Sequence, residues 1–164
     1  MIIGEQQIDA LAQKLGDALQ QKDWHLVTAE SCTGGWIAKV VTDVAGCSAW
    51  FERGFITYSN QAKRDMLGVD AAVLDRWGAV SEQTVLAMVA GALDNSSAKL
   101  AVAVSGIAGP DGGSADKPVG TVYIAWGGME VVSHARLFQF KGDRKTIRAQ
   151  AVIAALQGLI ASCE

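Results

Sequence analysis

Leu100-Ala101-Val102-Ala103-Val104-Ser105 carries no charge and no polar side chain before its last residue, and it runs directly into Gly106-Ile107-Ala108-Gly109-Pro110-Asp111-Gly112-Gly113. A strand with one wet face alternates apolar and polar residues; a continuous apolar run is what a strand covered on both faces requires, and such strands belong to sheets with helices on each side. The glycine-rich stretch then places a loop at the strand's carboxyl end, where ligands bind in open α/β sheets.

Moving outward toward the N-terminus, Ser81 is a plausible N-cap for a helix whose Val85, Met88, Val89 and Ala92 form an apolar stripe. Residues 60–67 read as a short helix stopped by Gly68, and residues 51–58 as a strand. Residues 25–29 form a β-prone run, followed by Glu30-Ser31-Cys32-Thr33-Gly34-Gly35, after which Trp36, Ile37, Val40, Val41 and Val44 resume helical spacing. Ile8, Leu11, Leu15 and Leu19 fall on one face of an opening helix over residues 5–21. Toward the C-terminus, residues 121–126 and 131–140 read as a hairpin about Gly127 and Gly128, and Gly142 and Asp143 open a final helix through Ile147, Ala151, Ala154 and Leu159. The order α, β, α, β, α, α, β, β, β, α implies a three-layer α/β/α sandwich with a mixed, mostly parallel sheet. No internal repeat, linker or low-complexity segment interrupts it.

The 164 residues, 17.2 kDa, suit one domain spanning residues 1–164. Half the residues are hydrophobic, 19% are charged and the mean hydropathy is +0.21, which excludes a disordered chain. A net charge of -3 and a pI near 5.3 argue against nucleic acid or an anionic membrane as a partner. The apolar stretches are too short to cross a bilayer and early charges stand where a secretory apolar segment would lie, so a soluble, cytoplasmic protein is expected. Cys32, Cys47 and Cys163 form no CxxC pair, and with only His25 and His134 beside them they suggest neither a disulfide framework nor a metal site.

Ser31 stands at a strand-to-helix turn whose free N–H groups could hold an oxyanion, which makes it the nucleophile candidate; equally, Ser31 or Thr33 could simply cap the helix. A base is needed, and neither His25 nor His134 is well placed by its strand. Tyr58 and Lys63, five apart across a strand-to-helix junction, could face the same cleft. A desolvated lysine there would favour its neutral amine, able to take the serine proton directly or through the tyrosine hydroxyl. A surface lysine and a packing tyrosine would give the same pattern. The loop around Ser105, Gly106, Gly109, Gly112 and Gly113 lets backbone approach a ligand, although a wide surface turn also explains it. Arg144, Lys145 and Arg148 open the last helix with cations where acidic residues are usual; they suit an anionic ligand such as a phosphate, or a solvated face. Trp36 or Phe55 could stack on an aromatic ligand or pack in the core.

Taken together, Thr28-Ala29-Glu30-Ser31-Cys32-Thr33-Gly34-Gly35, Gly54-Phe55-Ile56-Thr57-Tyr58-Ser59-Asn60 with Ala62-Lys63, Gly78-Ala79-Val80-Ser81, the 105–113 segment, Lys117-Pro118-Val119-Gly120-Thr121-Val122 and Gly142-Asp143-Arg144 resemble the CinA C-terminal family, in particular its stand-alone PncC-type members. The resemblance covers essentially the whole chain. It implies hydrolysis of the carboxamide of nicotinamide mononucleotide to nicotinic acid mononucleotide and ammonia, in NAD recycling, through Ser31 as nucleophile with Lys63 and Tyr58 as partners.

The resemblance also implies an acyl-enzyme and no metal or organic cofactor. Thr33, Gly34, Gly35, Ser105, Gly106, Gly109, Gly112, Gly113, Arg144 and Lys145 are then the expected substrate-binding positions. The family is often dimeric, and the apolar final helix would serve a homodimer interface. Two alternatives stand beside this expectation: a hydrolase that uses the thiol of Cys32, and a nucleotide-binding regulatory module without turnover. A scaffold role fits several glycine-rich loops at strand ends poorly.

Overall fold

The computed structural model describes residues 4–164. Its centre is a five-stranded sheet built from β1 (Leu26–Glu30), β2 (Phe51–Ile56), β3 (Leu100–Gly106), β4 (Thr121–Gly128) and β5 (His134–Gln139), in the order β2-β1-β3-β4-β5. β1 pairs in parallel with both β2 and β3, whereas β4 is antiparallel to β3 and β5 to β4. The expected mixed sheet in a three-layer sandwich is therefore what forms.

The apolar run that defines β3 is divided by the period of two. Leu100, Val102 and Val104 enter one core with Leu26, Val122 and Ile124, and Ala101 and Ala103 enter the other with Val27, Ala29 and Ala125. The first face is covered by α1 (Glu5–Lys22), α2 (Trp36–Thr42) and α6 (Arg144–Ser162), which contribute Ile8, Leu15 and Leu19, then Ile37 and Val40, then Ile147, Leu156 and Leu159. The second face is covered by α3 (Asn60–Leu67), α4 (Ala71–Trp77) and α5 (Glu82–Asp94), through Leu67, Leu74, Val85, Met88 and Val89. Small alanines on that side of the sheet suit close seating of α5. Where α5 meets the end of α3, Gly91 is required, because a Cβ there would stand 1.9 Å from the Leu67 carbonyl oxygen.

Helix ends follow local chemistry. Ser59, Asp70, Ser81 and Asp143 cap α3, α4, α5 and α6 with their side chains, and Gly68 ends α3 in the left-handed conformation. α4 and a 3-10 turn at Cys47–Ala49 are elements that the periodicity did not mark; at seven and three residues they are too short to display it. β2 stops at Ile56, two residues before Tyr58, and β5 begins at His134, so both edge strands are shorter than their β-prone runs. Among the described residues, no helix is long and apolar enough to cross a membrane.

Register brings the functional segments to one edge. Glu30 lies opposite Ile56 on one side and Val104 on the other, so β1, β2 and β3 end together and release Ser31, Thr57 and the 107–120 loop at the same rim. Gln139, paired with Thr121, ends β5 at that rim as well and delivers the start of α6 to it.

Candidate active site

Ser31 is the first residue after β1. Its N–H is donated to the Val104 carbonyl at 3.0 Å, which continues the β1–β3 pairing one step beyond the strand and fixes the serine backbone. Lys63, from α3, reaches it from the helix that follows β2. Its Nζ lies 3.0 Å from Ser31 Oγ, 2.8 Å from the Thr57 carbonyl and 3.3 Å from the Tyr58 carbonyl. The lysine is 1% exposed and the serine 7%. Loss of water around the ammonium pulls the Lys63 pKa down to about 8, against an ordinary value of 10.5.

The turn that carries Ser31 is held from two sides. Glu30, fully buried, accepts hydrogen bonds from the Thr33 hydroxyl at 2.7 Å, the Ile37 N–H at 2.8 Å and the Ala38 N–H at 3.0 Å. Burial pushes the Glu30 carboxyl pKa up, and the donors around it oppose that rise. On the other side Arg148 donates Nε to the Cys32 carbonyl at 3.0 Å and Nη2 to the Thr33 carbonyl at 2.9 Å, with its guanidinium 5.3 Å from the centroid of the Trp36 ring. Gly34 and Gly35 both take positive φ, 61° and 95°, and a Cβ on Gly35 would come within 2.8 Å of Ile56 Cδ1. Thr33 thus spends its hydroxyl on Glu30 rather than on the helix, whose N-cap is Gly35 with no side-chain cap.

The remaining sequence candidates divide into two groups. Arg144 donates Nη1 to the Gly109 carbonyl at 2.9 Å and Nη2 to the Tyr58 hydroxyl at 3.1 Å, so it ties two loops of the rim together. Ser105 and Gly106 end β3 beside the turn, Ser105 being buried, while Gly112 and Gly113 are exposed farther along the loop. Lys145 is exposed, and its side chain makes no hydrogen bond or ion pair among the described residues. Phe55 packs against the core on the α5 side, and His134 stacks on Trp126 at the opposite rim. A groove of about 370 Å³ near that rim, lined by Trp126, His134, Phe138 and Gln157, includes neither Ser31, Tyr58, Lys63 nor Arg144.

Two features were not anticipated from the sequence. Residue type and spacing alone give Glu30 no part in the chemistry; a carboxylate at a strand end preceding a helix start is the signal that points to it. The Tyr58 phenol engages Arg144, and it is the Tyr58 carbonyl that approaches both Lys63 and Ser31, at 3.4 Å from Ser31 Oγ. Cys32, beside the serine, is buried and desolvation pushes its thiol up to about 11. Among the described residues no group of three or more His, Cys, Asp or Glu side chains could hold a metal ion.

Fold and site together define an α/β/α protein that carries a buried serine–lysine pair at the carboxyl ends of its parallel strands. Residues 8–163 match the CinA C-terminal domain model, and the chain belongs to that family. It is 52% identical over 155 residues to the nicotinamide-nucleotide amidohydrolase PncC of Enterobacter agglomerans, covering 94% of each chain. It is 55% identical over 154 residues to the nicotinamide-nucleotide amidohydrolase PncC of Pseudomonas putida, covering 93% of this chain and 95% of the other. The crystal structure of the competence/damage inducible protein CihA from Agrobacterium tumefaciens superposes with a TM-score of 0.94 at 47% identity, over 96% of each chain.

Proposed function

We propose that the protein is an amidohydrolase that converts nicotinamide mononucleotide to nicotinic acid mononucleotide and ammonia, with Ser31 as nucleophile and Lys63 as base. The observation that carries this reading is the 3.0 Å approach of a buried lysine amine to a serine hydroxyl, supported by the names of the relatives at more than half identity. The carbonyls of Thr57 and Tyr58 take the two N–H groups of a neutral amine, which turns its lone pair toward Ser31 Oγ.

In this mechanism Lys63 accepts the Ser31 proton as Oγ attacks the carboxamide carbon. The Cys32 and Thr33 N–H groups, neither of which is donated to a backbone carbonyl among the described residues, are the donors assigned to the tetrahedral oxyanion. The Lys63 ammonium then protonates the leaving nitrogen, ammonia departs, and Ser31 is left as an ester. Water gives a proton to Lys63 and attacks that ester, and the product acid leaves as Ser31 regains its hydrogen. Tyr58 supports Lys63 through its carbonyl and Arg144 through its hydroxyl.

Arg144 is the group assigned to the substrate phosphate, with the 109–113 loop and Lys145 beside it. Its partners are both neutral, and the ion pairs found among the described residues, Lys39–Asp43 and Arg53–Glu52, do not involve it, so its charge is free to attract an anion. Residues 1–164 act in this reading as a single amidase domain of the cytoplasm. The test is ammonia release from nicotinamide mononucleotide by wild type and by Ser31→Ala. Turnover lost in the variant with substrate binding retained supports the reading, and near-normal turnover by Ser31→Ala rejects it.

A further inference from the structure

Glu30 and Lys63 are the charged side chains that the fold buries among the described residues; Glu30 bonds to the start of α2, and Lys63 reaches Ser31 from α3. Lys63 has a chemical use. Burying a carboxylate is costly unless donors surround it, so a residue kept in that state at the end of a strand is there for what its bonds hold together. Three hydrogen bonds reach Glu30, each one that an anion accepts: Oε1 takes the Thr33 hydroxyl and the Ile37 N–H, and Oε2 takes the Ala38 N–H, while the Gly35 N–H also favours the charged carboxylate. The three donors lie beyond Ser31 in the chain, and Glu30 lies immediately before it. The carboxylate therefore closes a loop through the serine and does from the strand the work that the uncapped Gly35 leaves undone at the helix start. The bond from Ser31 N–H to Val104 fixes only the first residue of the turn.

We propose that Glu30 is a positioning residue for the reaction, its buried carboxylate setting the direction of Ser31 Oγ toward Lys63 by tying Thr33 and the first turn of α2 to the end of β1. The proposal rests on the reading of Ser31 as the nucleophile. A glutamine has the same shape and keeps one acceptor oxygen, but it presents an N–H₂ group to one of the donors. An alanine frees all three. The orientation of the turn, and with it the attack geometry, loosens in that order.

The full chain carrying Glu30→Gln, Glu30→Ala or Thr33→Val is compared with wild type in thermal melting, in the rate at which a fluorophosphonate labels Ser31, and in kcat and KM for ammonia release. The expected result is cooperative melting with labelling slowed about tenfold in Glu30→Gln and about a hundredfold in Glu30→Ala, kcat falling in parallel while KM stays within about threefold. Thr33→Val, which removes one donor, slows labelling several-fold. A residue that only stabilised the fold would lower the melting temperature and leave labelling of the folded protein untouched, so wild-type labelling rates in folded Glu30 variants overturn the proposal. If neither Glu30 variant folds, Thr33→Val decides, and an unchanged labelling rate there overturns it. Wild type that is labelled at Ser31 but releases no ammonia removes the substrate assignment and leaves the labelling test of Glu30 intact. Wild type that is not labelled at Ser31 overturns the nucleophile and the positioning role together.

Discussion

Lys63 Nζ and Ser31 Oγ stand 3.0 Å apart, brought together by helix α3 and the end of strand β1 although 32 positions separate them in the chain. The amine sits where little water reaches it, and its pKa falls to about 8 for that reason. Only the neutral form can take the serine proton. The rate at low substrate concentration, kcat/KM for ammonia release, should therefore climb about tenfold per pH unit on the acid side of 8 and level off above it. Lys63→Arg, which keeps a cation but cannot lose its proton, should reduce turnover by about a thousandfold or more. A profile that is flat from pH 6 to 9, or substantial activity in Lys63→Arg, would remove Lys63 as the base.

Cys32 is adjacent to Ser31 and carries the more nucleophilic atom, but burial holds its thiol up at about 11, so the thiolate is a trace species at neutral pH. Cys32→Ala should keep kcat within about threefold of wild type, because the smaller side chain leaves the turn's hydrogen bonds in place. Iodoacetamide should leave activity unchanged under conditions that alkylate the partly exposed Cys47. Rapid inactivation with modification at Cys32, together with an inactive Cys32→Ala, would transfer the nucleophile from oxygen to sulfur.

Arg144 joins the Tyr58 hydroxyl to the Gly109 carbonyl, and this arrangement separates two roles for the tyrosine. If the phenol serves the substrate side of the rim through Arg144, then Tyr58→Phe and Arg144→Ala should each raise KM, by about tenfold for the arginine, with kcat little changed. The two changes should also be less than additive in the double variant, since each removes the same hydrogen bond. A large loss of kcat in Tyr58→Phe with KM unchanged would instead put the phenol in the proton path.

The reach of the sequence can be judged from particular residues. Leu100 to Val104 announced a doubly covered strand because burial on both faces leaves no alternation, and the sheet turned on it as expected. Ser31, Lys63 and Tyr58 could be singled out by residue type at strand ends, and parallel register then brought those ends to one rim. What spacing could not supply was the direction of side chains after a turn. Arg148 looked like a second anion ligand one helical turn from Arg144, yet its guanidinium is spent on the carbonyls of Cys32 and Thr33. Glu30 stands at a strand end where a carboxylate can meet a helix start, but two of its three donors are the backbone N–H groups of Ile37 and Ala38, and the letters of the sequence do not say which of those a carboxylate will meet.

Burial of Lys63 also has a consequence for stability that is independent of any assay of activity. In the unfolded chain its pKa returns to about 10.4, whereas in the folded protein it is about 8. Below pH 8 both states carry the proton and the full cost of burying an ammonium weighs on the fold. Between 8 and 10.4 the unfolded chain holds more protons than the folded one, so the free energy of unfolding rises with pH through that window. Lys63→Met lacks the titrating group and should not show this rise. Wild type should therefore gain on the order of 1 to 2 kcal/mol relative to Lys63→Met between pH 7.5 and 9.5, read from urea unfolding of both proteins at each pH. Other groups whose pKa changes on folding, Cys32 among them, are present in both chains, so the difference between the curves isolates position 63. Parallel curves would mean that the amine is solvated and titrates normally, and a base of ordinary pKa could not serve Ser31 near neutrality.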